Sequence, residues 1–357
     1  METIFGPLST IASEPGVTDI AVTSDGRIWC DKGQGMVERS LVSGRLSAEI
    51  LRNFAIQLCA SFGKRLDDAC PIADASSPDG IRIHAILEPI VSQGASLSIR
   101  FPQQSLVTLE SLERAGMFPK QWRELLELII RTRQSILICG GTGAGKTTLV
   151  KALLSAMPAS ERVVLIEETR ELHQSIHDNG ESLVVRQANI EGAGEVTLSD
   201  LVKATVRMRP DRIILGECRG EEISDLLRAL NSGHKGSIAT IHADSVERVP
   251  SRLCALGLLA QIDTQAMSLL AAGAFDVVIH VVRDTAGRRI AHVGRLKVDS
   301  HNSLYGEVLA SWDGINDGHD THMRVSSEYE RWVGALRTQD DGELSDGTLE
   351  FSRVKKV

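Results

Sequence analysis

Hydrophobic and polar positions change their period along this chain, and the changes mark out its parts. From residue 17 to 37 short apolar runs are broken by Asp-Gly and Lys-Gly-Gln-Gly, a spacing that predicts antiparallel strands joined by tight turns. Leu51, Phe54, Leu58 and Phe62 then recur at three- and four-residue intervals and predict a helix with one apolar stripe, ending near Gly63. Strands follow over 81–87 and 95–100. Strands grouped in this way predict a small α+β unit. The polar, proline-containing segment FPQQSLVTLE (101–110) reads as a connection. From Lys120 onward helices alternate with short apolar runs that have no polar face, at 136–139, 163–166, 183–185, 213–215, 238–241 and 277–282. Such strands are covered on both sides, as in a largely parallel sheet between helices, so the second domain is α/β. Past about Ser300 the chain is acidic, rich in Asp, Gly, Ser and His and weakly periodic, which predicts a partly disordered extension. The expected partition is therefore an N-terminal α+β domain (1–104), a linker (105–118), an α/β domain (119–300) and the extension (301–357).

Composition agrees with two packed domains: 357 residues, 42% of them hydrophobic. Lys and Arg number 39 against 47 Asp and Glu, and a net charge of -8 weighs against a surface that coats duplex DNA, so strong nucleic-acid binding is not expected. The apolar stretch 267–282 is interrupted by Asp276 before the roughly 18 residues a membrane span needs. The start, METIFGP, has neither a basic head nor a signal-length apolar run, and the expected location is the cytoplasm. Cys30, Cys59, Cys70, Cys139, Cys218 and Cys254 form no C-x-x-C pair and read as buried free thiols.

Four boxes carry candidate chemistry. GGTGAGKTT (Gly140, Gly141, Thr142, Gly143, Ala144, Gly145, Lys146, Thr147, Thr148) follows an apolar strand and precedes a helix marked by Leu149, Leu153 and Met157 and stopped at Pro158. This is the context a phosphate-binding loop requires: glycines let successive N–H groups face the phosphates, at a helix N-terminus that favours an anion. Lys146 would meet the β- and γ-phosphates, and the Thr147 hydroxyl would ligate Mg²⁺. In RPDRIILGE a strand runs into Glu217, the available carboxylate, while Gly216 takes the place where an Asp would usually sit; Glu217 could hold the Mg²⁺ water shell or polarise an attacking water. VVLIEETREL delivers Glu167 and Glu168, which a strand would point to opposite faces. SGHKGSIATIH ends on His242. His173 and His177, spaced i and i+4 without the glutamate of a zinc motif, read as structural.

In this order the boxes resemble those of the type II/type IV secretion ATPases, over about residues 10 to 298. VPSRLCALG and VIHVVRDTAGRR are similar to the Tad-type pilus and conjugation-associated branch. The resemblance implies a RecA-like P-loop domain joined by a mobile linker to a smaller N-terminal domain, ATP and Mg²⁺ as cofactors, and a homo-hexameric ring. It implies work on an inner-membrane platform protein from the cytosolic face of the membrane. It also implies nucleotide held between the two domains, with Arg82 and Arg100 as N-terminal-domain arginines for the phosphates. Catalysis would fall to Glu217, Glu167, Glu168 and His242, with Thr147 and Glu217 toward the metal. Two departures stand out: Glu-Glu at 167 and 168 where the family usually has Glu-Asp, and Ser232 where it has Thr. The rival readings are a DNA-translocating RecA-like ATPase, disfavoured by the acidic charge, and a nucleotide-binding regulator that does not turn over.

Overall fold

Alternating burial in the first hundred residues builds a sheet with one covered face. In the computed structural model, which describes residues 4–41, 44–77, 80–102, 107–172, 178–186, 188, 193–285, 287–316 and 321–353, the chain divides into two units. The first, Met1–Ser105 with Thr169–Gln174, contains α1 (Ser9–Ala12), β1 (Asp19–Val22), β2 (Ile28–Asp31), β3 (Met36–Arg39), α2 (Ala48–Ser61), β4 (Ile72–Ser76), β5 (Arg82–Leu87) and β6 (Ala95–Arg100). The strands run antiparallel in the order β3-β2-β1-β6-β5-β4. Ile83, Ala85 and Leu87 of β5 and Leu97 and Ile99 of β6 point inward and meet the α2 stripe of Leu51, Phe54 and Leu58. Ser47 caps α2 by accepting from the Ile50 N–H, and Gly63 (φ 70°) lies just beyond its end.

The second unit, Leu106–Glu168 with Ser175–Val357, begins with α3 (Leu109–Arg114) and α4 (Lys120–Arg131). There follow β7 (Ile136–Cys139), α5 (Lys146–Ser155), β8 (Val163–Glu167), β9 (Gly180–Val184), α6 (Leu198–Thr205), β10 (Arg212–Cys218), α7 (Glu222–Asn231) and β11 (Ile238–Ile241). The chain continues through α8 (Val249–Leu259), α9 (Thr264–Ala274), β12 (Val277–Asp284), β13 (Gly287–Val298), β14 (Leu304–Asn316), β15 (Thr321–Val325) and α10 (Ser327–Arg353). Its sheet has the order β15-β14-β13-β12-β7-β11-β10-β8-β9. From β12 to β9 every pairing is parallel; β13, β14 and β15 continue antiparallel. Every residue of β7, β8 and β11 is buried, as expected for strands covered on both faces. β7 sits between β11 and β12, so the carboxyl ends of β7, β11, β10 and β8 share one edge of the sheet, where ligands of open α/β sheets bind. Arg212 at the start of β10 is fully buried: it pairs with Glu161 and donates to the carbonyls of Ile130 (2.8 Å) and Gly236 (3.2 Å), tying β10 to the end of α4.

The structure departs from the expected partition in two places. Within the expected linker lies α3, opened by a capping box between Thr108 and Ser111 and anchored by buried Leu109 and Leu112. Past Ser300, where a partly disordered extension was expected, β14 and β15 prolong the sheet and α10 packs on α4 and β14. Leu309, Ala310, Trp312, Trp332 and Leu336 are buried there, Trp312 meets Trp122 of α4 edge-on, and Arg131 pairs with Asp340 (3.1 Å). These few large apolar side chains supply burial that the acidic composition conceals. All six cysteines are free; Cys30, Cys59, Cys139 and Cys218 are buried and Cys254 half-buried, while Cys70, in a turn closed by Asp67, is exposed contrary to expectation. His173 and His177 lie outside the described residues. Among those described, no helix is long and apolar enough to cross a membrane.

Candidate nucleotide site

The loop between β7 and α5 is shaped by close approach. A Cβ on Gly140 would come within 2.2 Å of the Val281 carbonyl oxygen of β12, so only glycine fits there. Gly145, at φ 105°, takes the left-handed turn that opens α5. Lys146 is the first residue of that helix, buried, and its ammonium donates to the carbonyls of Gly140 (2.8 Å) and Gly141 (3.0 Å). Burial lowers its pKa, and the charge of Glu217 opposes the shift. Thr147 and Thr148, half-buried, follow in the first turn of α5.

Beside this loop the next strands deliver a polar chain. Lys146 Nζ lies 3.5 Å from Nδ1 of His242, which stands just past β11. An ammonium can only donate, so Nδ1 presents its lone pair and the ring proton sits on Nε2. That Nε2 stands 2.6 Å from Glu217 Oε1. Burial and the Lys146 charge lower the His242 pKa, against the pull of Glu217, in keeping with a neutral ring. The other oxygen of Glu217 accepts from Arg219 (2.7 Å), whose second nitrogen holds Glu168 (2.8 Å). Lys146, His242, Glu217, Arg219 and Glu168 thus form one connected line across β7, β11, β10 and β8. Arg219 was missed as a site residue; its signal is its position two residues after Glu217 in the same box.

The two box glutamates separate as strand alternation requires: Glu167 is buried and Glu168 exposed. The structure also accounts for Gly216. A Cβ at that position would sit 3.2 Å from Cγ of Glu167, so the carboxylate missing from β10 is delivered by its neighbour β8. Oxygen donors suited to Mg²⁺ are at hand in the Thr147 hydroxyl and the carboxylates at the ends of β8 and β10. Of the Glu217 oxygens, Oε2 accepts from Arg219, while Oε1 is buried and accepts no hydrogen bond. Among the described residues no group of three or more His, Cys, Asp or Glu is arranged as a metal cage.

Arg82 and Arg100 lie in the first unit, directly opposite each other across β5 and β6. Like charges in that register repel, and each is compensated by a carboxylate, Arg82 by Glu171 and Arg100 by Asp19 (3.0 Å). In the second unit, next to the loop strand, His280 of β12 and His292 of β13 place their Nδ1 atoms 3.0 Å apart with nearly parallel rings. Their 5.3 Å centroid separation is close to that contact plus two ring radii, so the rings meet edge to edge through an N–H···N bond rather than face to face.

Residues 4–306 match the family described as Type II/IV secretion system protein. The chain belongs to this family. Among similar proteins, a putative conjugal transfer protein of Mycobacterium tuberculosis strain H37Rv is 42% identical over 290 residues, covering 80% of this chain and 82% of that protein. The conjugal transfer protein TrbB of Rhizobium radiobacter is 31% identical over 299 residues, covering 82% and 88%. Of solved structures, the pilus retraction motor PilT with bound ADP superposes with a TM-score of 0.55 at 15% identity, covering 99% of this chain and 90% of that one. As a member of the type II/IV secretion system family the chain is an ATPase, and its second unit has the RecA-like fold of that family. The family match ends shortly after β14 begins, so most of β14, with β15 and α10, lies beyond it.

Proposed function

We propose that this ATPase is the motor of a pilus-assembly or conjugation machine of the Tad-related branch, working as a homo-hexamer at the cytosolic face of the membrane against a platform protein there. The names of its relatives, conjugal transfer proteins above all, support the machine, and the acidic net charge weighs against a DNA translocase. The observation that carries the catalytic reading is the line from Lys146 through His242 to Glu217. With ATP on the loop, Lys146 turns from the loop carbonyls to the phosphates and stabilises charge gathering there. Glu217, held by Arg219 beside His242, orients a water and takes its proton as the oxygen bonds to the γ-phosphorus and the bond to the bridging oxygen breaks, giving ADP and phosphate. Thr147 and Glu217 are the residues that would hold Mg²⁺, which would supply charge neutralisation at the phosphates. Glu167, buried against Gly216, shapes the floor.

Mixing tests the ring. Lys146→Ala subunits added to wild type should depress ATPase activity beyond their share of the mixture, and activity per subunit should fall on dilution as the assembly dissociates. Strictly proportional loss, with constant activity down to a monomer seen by light scattering, would refute the ring-based motor.

A further inference from the structure

The cations assigned to the nucleotide from sequence are Lys146 and the two arginines of the first unit. The second unit holds another pair against the loop itself. β12 and β13 form a hairpin whose strands carry Arg283 and Arg288, paired directly across it. Arg288 Nε donates to the carbonyl of Gly143, in the middle of the loop, at 3.0 Å. Its side chain lies over the start of α5, where a Cβ on Gly145 would meet Arg288 Cδ at 3.2 Å. Arg283 reaches the same place from the other strand, with Nη1 3.5 Å from where a Cβ on Gly143 would stand. The close approach of Val281 to Gly140 completes the pattern: three loop glycines admit the hairpin as well as turning the chain. The base of the hairpin is fixed by the Ile290 N–H, which donates to the Met117 carbonyl (2.9 Å) ahead of α4.

Charge bookkeeping singles out these two arginines. Asp284, in the same hairpin, is bonded to Arg289 (3.1 Å), and Arg289 also donates to the Trp312 carbonyl. Arg82, Arg100 and Arg219 each hold a carboxylate. Among the described residues no ion pair involves Arg283 or Arg288, and both are exposed. Two uncompensated guanidinium groups beside a phosphate-binding loop raise the local concentration of a polyanion and offer forked donors to it.

We propose that the β12–β13 hairpin is a second cationic arm of the nucleotide site. Arg288 is a positioning residue that fixes the middle of the phosphate loop through Gly143, and Arg283 and Arg288 together supply positive charge to the bound nucleoside polyphosphate. The arm acts on binding, because it touches the loop and not the line through His242 and Glu217 that addresses the attacking water. It rests on the loop being the nucleotide site, and the test separates the two.

Arg283→Ala, Arg288→Ala and the double variant are compared with wild type and Lys146→Ala in the full-length protein. ADP affinity is read by calorimetry, and KM and kcat for ATP at low and high salt. Each arginine variant should raise KM and the ADP Kd about tenfold, the loss of one charge-assisted bond, with kcat nearly unchanged. The salt dependence of KM should flatten in the double variant, a change that a purely structural role would not produce. Arg288→Lys should restore the salt dependence while recovering only part of the affinity, because an ammonium cannot reproduce the guanidinium Nε bond to Gly143 together with its fork. Wild-type KM, ADP affinity and salt response in the double variant, while Lys146→Ala loses turnover, would overturn the arm and leave the loop assignment standing. Undiminished turnover in Lys146→Ala would overturn both.

Discussion

Replacing Glu217 by Gln isolates the role of one carboxylate at nearly constant shape. In the structure one oxygen of Glu217 stands 2.6 Å from His242 Nε2 and the other accepts an Arg219 N–H at 2.7 Å. An amide has one oxygen and one NH₂, so whichever way it lies, a donor faces either the imidazole N–H or the guanidinium. The stability loss should be small, about 1 kcal/mol, because Arg219 is exposed and such bonds are screened by water. In a unit of this size that lowers Tm by about 2–4 °C. The rate loss should be much larger. Positioned proton transfer contributes roughly 10²–10⁴ in rate, about 3–5 kcal/mol on the barrier. Single-turnover phosphate release with ATP saturating, paired with calorimetric ADP binding, separates the two effects. The expected result is hydrolysis slowed by at least about 100-fold with ADP Kd changed by less than about threefold. A rate within about fivefold of wild type would refute the argument and turn attention to Glu167.

Two other perturbations test the surroundings. Arg212→Met removes a fully buried cation and leaves Glu161 without it, at a cost of about 3–5 kcal/mol for a broken buried pair. Calorimetry should show Tm lower by on the order of 10 °C, and a shift under about 2 °C would mean the pair adds little. The His280–His292 contact predicts acid sensitivity. Burial first, and then the neighbouring His292, bring the His280 pKa down from 6.5 to about 4, with Glu247 and Asp244 opposing and Arg289 adding to the shift. As pH falls the unfolded chain takes up this proton first, so the stability held by the neutral ring is whole above about pH 6.5 and lost progressively toward pH 4. Tm measured from pH 7 to 5 should therefore fall more steeply in wild type than in His280→Phe, and parallel curves would exclude the pair as the cause.

The loop and its strand were legible because both follow from neighbours in sequence: the apolar run 136–139, the glycines and the helix stripe all lie within twenty-odd residues. The parallel sheet was legible too, since strands without a polar face report burial on both sides. What connects the boxes was not legible. The close approach of Glu217 to His242 and the packing of Glu167 against Gly216 depend on which strands become neighbours, and sheet order is a property of the whole fold. Arg288 was hidden for the same reason, being far from the loop in sequence and next to it only through the β12–β13 hairpin. Beyond Ser300 composition misled, because charge outweighed the spacing of Trp332 and Leu336, four residues apart on α10. At α3 the Thr108 capping signal was present and was outweighed by the polar, proline-containing run before it.

The place of β7 in the sheet also sets a timetable for synthesis. This strand, all of whose residues end up buried, leaves the ribosome well before either strand that will flank it: β11 begins at Ile238 and β12 at Val277. At about 5–20 residues per second, an apolar edge stays open on the nascent chain for on the order of five to twenty seconds. During that interval the strands β1 to β6 are already complete and able to pair, while the phosphate loop has been made but has no sheet to hold it. The nucleotide therefore cannot serve as an early folding template. Until β12 arrives, Ile136 to Cys139 is the stretch most in need of a chaperone and most open to wrong pairing with another growing chain.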